Sequence, residues 1–469
     1  MNKYRILFIF AILFNISLFI YYFLNSDINP SVDAFYYQAI ADSFHNGTGF
    51  VDITTIPPQP IITPQYGIVF IQVLLKYLGL HGAQQGLLAV KLIHYVGFLL
   101  LIYCFYHAFI QLNVSREIIW LSLGILLASA HFLKTIVQPL NEGMWCVLTA
   151  IVYSTALSNY SKESLVKMAI IAISGILLAN FRMNGPLIIL SIALAYLVLQ
   201  YYKKSLLYLV IFVVSCGSVY VIISVLNVEY SGFKKFSEIY TLEYILYQPV
   251  VTAMATLPGV FLGLTGRETL FTIPISILAF IFYGIYLKKA YKVNNFADLI
   301  AIIYILLLII MLQIMPGGNS RYIIMVMPFS LVAIATYFKD SFRLRVCLII
   351  ILIFTMLVSL YRIIFWDNIY FDNNKSLYSI RNEIKEPYLL ISQSPRYSYY
   401  IFGKGSHHKE DVFKTQKDIV IFGKNDYVQN TIQEFQKVLM IDRIEHLNGK
   451  MITGQGADER YLTVRIIQK

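Results

Sequence analysis

Membrane-length apolar runs alternate along this chain with short clusters of lysine and arginine, and that alternation limits it to the architecture of a polytopic membrane protein. A transmembrane helix needs about 20 consecutive, mainly apolar residues, and each crossing must satisfy its own backbone polar groups. Hydrophobic residues make up 58% of the 469 positions and charged residues only 13%, whereas soluble domains carry about 25% charge. The formal charge of +11 does not build a nucleic-acid face, because the Lys and Arg residues sit between apolar runs, where they set topology. Cys104, Cys146, Cys216 and Cys347 fall inside apolar segments with no CxxC or CxxH pair, so neither a disulfide framework nor a zinc site is indicated. The first run, Ile6 to Leu24, follows Lys3 and Arg5 as a signal sequence would. It is longer than a signal h-region and lacks a small-x-small cleavage site, so it reads as an uncleaved helix.

The charges orient the runs. With a cytoplasmic N-terminus, residues 25–85 form a first extracytoplasmic loop, in which Pro57, Pro58, Pro60 and Pro64 break the chain. Tyr66 to Leu80, interrupted by Lys76, is either a surface helix or a span. As a surface helix it leaves Lys162 with Lys167, Lys203 with Lys204, Lys288, Lys289 and Lys292, and Lys339, Arg343 and Arg345 all cytoplasmic. As a span it exports the clusters through Arg345, so the surface helix is preferred. This arrangement predicts about eleven spans, and the Lys/Asn/Ile-rich usage with compact loops suits a bacterial inner (plasma) membrane. The arrangement places Lys134 to Glu142, Arg182 to Gly185, Asn227 to Glu268, and Gly317 to Arg321 on the face of the first loop. The expected division is a transmembrane domain over 1–365 and a small extracytoplasmic α/β domain over 366–469, with strands at Tyr388 to Ile391, Ile419 to Phe422 and Tyr461 to Ile467 and a helix over Tyr427 to Leu439.

Several ionisable residues share that outer face. Asp33 opens a stretch in which Tyr36, Tyr37, Ile40 and Phe44 recur at helical spacing while Gln38, Asp42 and His45 lie away from them, the pattern of a helix lying on the membrane surface. Glu142 enters the fourth run, Arg182 lies between two apolar runs, Arg321 follows Gly317 and Gly318, and Lys91 is flanked by apolar residues. Ionisable groups at such depth cost several kcal/mol unless paired or facing a polar cavity, and are functional candidates. Each has a structural alternative: a dipole-stabilised acid for Asp33, a helix cap or a Lys134 pair for Glu142, a snorkelling anchor for Arg182, a buried ion pair for Lys91, and a solvated loop charge for Arg321. His45, His81 and His131 are isolated in sequence and read as satisfied polar residues, not ligands.

These residues resemble the GT-C superfamily of polytopic glycosyltransferases, particularly the bacterial aminoarabinose transferases and the protein O-mannosyltransferases. The resemblance runs over about Met1 to Asp340 and rests on Asp33-Ala-Phe-Tyr36-Tyr37-Gln-Ala-Ile-Ala41 with Gly47 and Gly49, the Pro57 to Leu80 segment, Lys91 where arginine is commoner, Glu142, Arg182 to Gly185, and Arg321-Tyr322 with Pro328. It implies an all-α GT-C-like membrane fold and transfer of a sugar, hexosyl or pentosyl, from a polyprenyl-phosphate donor to a lipid, glycan or protein acceptor. It further implies Asp33 as base with Glu142 as second acid, Lys91, Arg182 and Arg321 on the donor phosphate, and Tyr36, Tyr37 and Tyr322 lining the substrate. A single base predicts inversion at the anomeric carbon. Ala34 stands where many members carry a second acid, so a divalent metal is left open, with Asp42 and Asp52 as substitute acids. A polysaccharide polymerase would carry a large arginine-rich late loop, and a lipid flippase or transporter would carry paired broken helices; neither pattern is evident. A receptor binding through the tail is a further alternative.

Overall fold

The computed structural model describes residues 3–24, 32–61, 66–81, 83–226, 269–293, 295–314, 320–338 and 341–367, and in the C-terminal part 388–393, 395, 402, 405–414, 417–437, 439, 441–452 and 460–468. The expected loop from Asn227 to Glu268, Pro64, Gly317 to Asn319 and Lys339 lie outside the described residues.

Among the described residues, the long apolar runs form helices. In chain order these are α1 (Lys3–Leu24), α2 (Val32–His45), α3 (Gly67–Tyr77), α4 (Ala83–Gln111), α5 (Arg116–Ala128), α6 (Ala130–Val137), α7 (Asn141–Ser161), α8 (Leu165–Phe181), α9 (Leu187–Val198), α10 (Tyr202–Val225), α11 (Thr269–Val293), α12 (Phe296–Ile314), α13 (Val326–Phe338) and α14 (Phe342–Arg362). Among the described residues, four helices are long and apolar enough to cross a membrane, and a fifth crossing results if α5 and α6, bent by 64°, are one broken span. Five shorter apolar helices accompany them, α3, α8, α9, α12 and α13. Exposed Leu, Ile, Val and Phe side chains ring α1, α4, α10 and α14, as expected of surfaces solvated by lipid.

The break between α5 and α6 is satisfied by side chains from two other helices. Ser359 of α14 donates to the Ala128 carbonyl at 2.8 Å and accepts from the Ala130 N–H at 2.9 Å. Asn15 of α1 donates to the Leu127 carbonyl at 2.7 Å, and the Ser129 hydroxyl caps Phe132 at 3.2 Å. A helix broken in an apolar surround would otherwise leave these backbone groups unpaired, at a cost of several kcal/mol each.

The Tyr66 to Leu80 stretch settles into an 11-residue helix, α3, about 16 Å long at the usual rise, roughly half a hydrocarbon core. It packs on α2, and Lys76 forms an ion pair with Asp42 there. That pairing accounts for the lysine interrupting an apolar run. One expectation is corrected: α2 is not half-exposed, since every residue from Ala34 to Ala41 is buried, Gln38 included. Its polar side is covered because α3, Phe50, Ile61, Tyr66, Leu87, Val90 and Leu140 close around it in a second apolar core.

The C-terminal part holds strands β4 (Tyr388–Ser392), β5 (Ser406–His407), β6 (Asp418–Lys424), β7 (Ile441–Ile452) and β8 (Arg460–Gln468), with helix α15 (Asn425–Gln436) between β6 and β7. Three strands and the helix stand where the alternating pattern predicts them. The long strand β7 carries charges at Asp442, Arg443, Glu445 and Lys450 and gives no such pattern, which explains why the sequence hides it. The first loop adds β1 (Val51–Asp52), β2 (Thr55–Ile56) and β3 (Gln59–Pro60). The six-stranded sheet has the order β2-β5-β4-β6-β8-β7, so one of its two edge strands comes from the first loop. Thr55 pairs with Ser406 and Ile56 with His407, in parallel, and the Ser406 N–H donates to the Thr54 carbonyl at 2.9 Å. Gly405 is required at this join, because a Cβ would overlap the Ile53 carbonyl.

Candidate active site

Four connections distant in sequence meet at one end of the helical bundle. The start of α2 supplies Asp33, the α6–α7 turn supplies Asn141 and Glu142, the α8–α9 turn supplies Arg182 and Asn184, and the 3-10 turn Ser320–Ile323 supplies Arg321 and Tyr322. Each turn is built by local chemistry. Gly185 donates its N–H to the Arg182 carbonyl at 2.8 Å, and a Cβ there would strike the Leu178 and Arg182 carbonyls. Gly143 lets the start of α7 press against the end of α6, where a side chain would overlap the Ile136 carbonyl and the His94 ring. His94 Nδ1 lies 2.8 Å from the Gln138 carbonyl and anchors the turn leading to Glu142. Asn141 accepts from the Ile68 N–H at 3.1 Å, tying the N-terminus of α3 to α7. Gly67 is needed beside it, because a Cβ would enter the Phe181 ring.

The charged groups form an alternating row. Arg321 Nη2 donates to Asp33 Oδ2 at 2.8 Å, Arg321 Nε lies 3.5 Å from Glu142 Oε1, and Arg182 Nη1 donates to the same Glu142 oxygen at 2.5 Å. Arg182 Nε donates onward to Asn184 Oδ1 at 3.3 Å. The Tyr322 ring packs between the two guanidinium groups, its centroid 4.2 Å from Arg182 Cζ and 5.0 Å from Arg321 Cζ, while its hydroxyl accepts from Arg321 at 3.0 Å. Both stacks add cation–π attraction. Glu142 therefore pairs with Arg182 and Arg321, and Lys134 instead lies over the Tyr22 ring.

Exposure separates the two acids. The side chains of Glu142 and Arg182 are 4% and 5% exposed, whereas those of Asp33 and Arg321 are 35% and 23% exposed. Glu142 and Arg182 are thus a buried brace, and Asp33 is the carboxylate that a reactant can reach. Burial lowers the proton affinity of Arg321, but Glu142, Tyr322 and Asp33 together outweigh it and raise it; the guanidinium is a fixed cation. Tyr37 lies buried beside this row. Its hydroxyl is pushed well above the usual tyrosine range by burial and then by the negative charges of Glu142 and Asp33, so it stays neutral.

Tyr36 and Tyr37 are buried, with ring centroids 5.8 Å apart, and Tyr36 belongs to the core around α2. Lys91 is buried on α4, one turn before His94. Reading the sequence alone missed Asn141, Asn184 and His94; Asn141 and Asn184 lie one or two positions from an identified charge, and the signal for His94 is its place one turn from Lys91. His45 and His81 are not isolated in space, their ring centroids standing 5.3 Å apart. Among the described residues, no three of His, Cys, Asp and Glu come together as a metal site. Asp42 is engaged with Lys76, and Asp52 accepts from Thr54 at 2.6 Å and 2.9 Å. Both substitute acids are thus engaged by protein groups.

Compared by sequence, the chain matches no family model and no curated protein. Compared by structure, it is similar to apo ArnT from Cupriavidus metallidurans, with TM-score 0.59, 12% identity and 97% of each chain covered. The same protein bound to undecaprenyl phosphate superposes with TM-score 0.60 and 13% identity over 97% of this chain and 98% of that one. The oligosaccharyltransferase AglB from Archaeoglobus fulgidus, solved with an inhibitory peptide and a dolichol-phosphate, gives TM-score 0.53 and 13% identity over 86% of this chain and 64% of its own. The protein thus has the fold shared by ArnT and AglB.

Proposed function

We propose that the protein is an integral-membrane glycosyltransferase that moves a sugar from a polyprenyl-phosphate donor to an acceptor on the membrane face bearing Asp33. The observation that carries this reading is the reachable Asp33 carboxylate held by Arg321, whose other side is fixed by buried Glu142. Undecaprenyl phosphate in ArnT and dolichol-phosphate in AglB, both on this fold, support a polyprenyl-phosphate donor. We read α1, α4, α5 with α6, α7, α8, α9, α10, α11, α12, α13 and α14 as the crossings, eleven in all, with a cytoplasmic N-terminus and with the site and C-terminal sheet outside a bacterial plasma membrane.

The geometry suggests a division of labour. In the unliganded site Arg321 neutralises Asp33. An arriving donor phosphate competes for the same guanidinium, which holds phosphate oxygens bidentately. Arg321 then turns from Asp33 to phosphate while Glu142 keeps it in place, and the carboxylate is left open to the acceptor. An acceptor hydroxyl attacks the anomeric carbon and gives its proton to Asp33. The bond from that carbon to the phosphate oxygen breaks, and its electron pair stays on the phosphate. Fixed cations stabilise the charge that develops on the leaving group; Arg321 does so directly, Lys91 assists, and Arg182 acts through Glu142 and Tyr322. Attack opposite the leaving phosphate inverts the anomeric centre.

The test compares the surface glycans, lipids and proteins of cells with and without the gene by mass analysis, and repeats the comparison with Asp33→Asn. One sugar missing from both the deletion and the variant, with normal membrane insertion of the variant, is the expected result. Full transfer by Asp33→Asn would overturn the base assignment, and transport of a labelled lipid without sugar transfer would overturn the enzymatic reading.

A further inference from the structure

Two histidines from different helices meet where α2 and α3 end, apart from the charged row of the candidate site. His45 lies in the last turn of α2 and His81 four residues beyond α3. Their ring centroids are 5.3 Å apart, with the ring planes at 45°. Each is placed by a helix end built in the same way. After α2, the Gly47 N–H donates to the Phe44 carbonyl at 3.1 Å and the Thr48 N–H to the Ser43 carbonyl at 2.9 Å. After α3, the Gly79 N–H donates to the Lys76 carbonyl at 2.9 Å and the Leu80 N–H to the Leu75 carbonyl at 3.0 Å. Such paired bonds close a helix around one left-handed residue, and Gly47 and Gly79 fill that position with φ of 80° and 92°. The ion pair between Lys76 and Asp42 joins the two helices just before both histidines. Backbone closure and ion pair together fix where the two imidazoles stand.

The separation is that of two imidazoles sharing one ion. A tetrahedral ion with metal–nitrogen bonds of about 2.0–2.1 Å holds two ring centroids about 5 Å apart. His45 Nδ1 is buried and makes no hydrogen bond among the described residues, although a ring nitrogen always donates or accepts and a buried one left unpaired is unfavourable. The Tyr77 ring stands edge-on to His45 at 5.0 Å and covers one side of it. Lys76 gives its charge to Asp42, so that pair adds no net charge beside the histidines. Imidazole nitrogen suits zinc, copper and nickel, whereas magnesium and calcium take oxygen ligands. We propose that His45 and His81 form a transition-metal site of the zinc class, in which two imidazoles hold the ion and water completes its shell. The ion would staple the end of α2 to the end of α3. At the usual helical rise it would lie about 18 Å along α2 from Asp33, so it would steady that helix without touching the reacting groups.

The test uses the purified full-length chain in detergent, carrying no histidine tag, stripped with a chelator and titrated with Zn²⁺ or Mg²⁺. Isothermal titration should show one Zn²⁺ bound per chain and no uptake of Mg²⁺. Zn²⁺ should raise the melting temperature, because a ligand that binds the folded state stabilises it, and should slow hydrogen exchange over residues 42–48 and 76–81. His45→Ala and His81→Ala should each weaken Zn²⁺ binding at least about tenfold, since loss of an outer-shell partner alone costs about 10–100-fold. Equal Zn²⁺ binding by wild type and both variants would overturn the proposal, as would equal uptake of Mg²⁺. X-ray absorption of the Zn²⁺-loaded wild type gives a readout that needs no variant: outer-shell scattering from two imidazoles is expected, and a shell of oxygen alone would overturn the site.

Discussion

Arg321 donates a 2.8 Å hydrogen bond to Asp33 across 288 positions of sequence, and the same guanidinium lies against Glu142. The three residues come from the start of α2, the turn before α13 and the start of α7. One cation therefore links an open carboxylate to a closed one, and the consequences of removing each member differ.

Removing Glu142 leaves Arg182 buried without its carboxylate. Breaking a buried pair in this way costs about 3–5 kcal/mol, so Glu142→Ala is expected to lower the melting temperature of the purified protein markedly. Arg182→Met alone should be comparably harmful, and the double variant should be less destabilised than the sum of the two. Additive losses in a thermal-melting cycle would mean that the two side chains act independently.

Removing Arg321 leaves the brace intact and takes away the cation next to Asp33. Loss of one preorganised donor to a developing anion typically costs about 10²–10³ in rate, and Arg321→Ala is expected to lose transfer on that scale with a small change in melting temperature. Lys91→Ala should also weaken use of the donor more than of the acceptor. Initial-rate kinetics with donor and acceptor varied separately provide the check; an unchanged donor dependence in both variants would remove the phosphate assignment.

How much of this was legible in the sequence depends on what kind of signal each feature leaves. Charge clusters between apolar runs lead to the expectation that Asp33, Lys91, Glu142, Arg182 and Arg321 share a face, and the structure joins Asp33, Glu142, Arg182 and Arg321 in one row. Partners are not written that way: Glu142 had Lys134 as a nearby candidate, yet pairs with Arg182, 40 positions on. Lys76 looks out of place in an apolar helix until α2 and α3 lie side by side and it meets Asp42. The burial of Gln38 accompanies packing of α2 against α3, α4 and the first loop, which no helical period encodes. Two residues of β2 joining a sheet some 350 positions later leave no periodicity at all.

Tyr37 gives a pH dependence whose sign is fixed by its surroundings. Burial, followed by Glu142 and Asp33, raises its proton affinity in the folded protein, so the folded state holds the proton more tightly than the unfolded chain. Its contribution to stability is fully present below about pH 10, the unfolded value, and is lost as pH rises from there through the folded value. Tyr37→Phe is expected to flatten the fall in melting temperature between about pH 9 and pH 11. An identical alkaline fall in wild type and variant would show that other groups control it.

The join between the first loop and the C-terminal sheet has its own test. Ser406 supplies the N–H that reaches the Thr54 carbonyl, and Gly405 allows the two backbones to approach. Ser406→Pro removes that donor, and Gly405→Val fills the space required by the Ile53 carbonyl. Because β2 follows α2 by a few residues in the same loop, releasing it should loosen the segment that carries Asp33. Both variants are expected to speed hydrogen exchange over residues 51–61 and to lower transfer, while exchange in α12 and α13 stays as in the wild type. Faster exchange confined to residues 388–468, with full activity, would show that the sheet is held to the loop without helping to position Asp33.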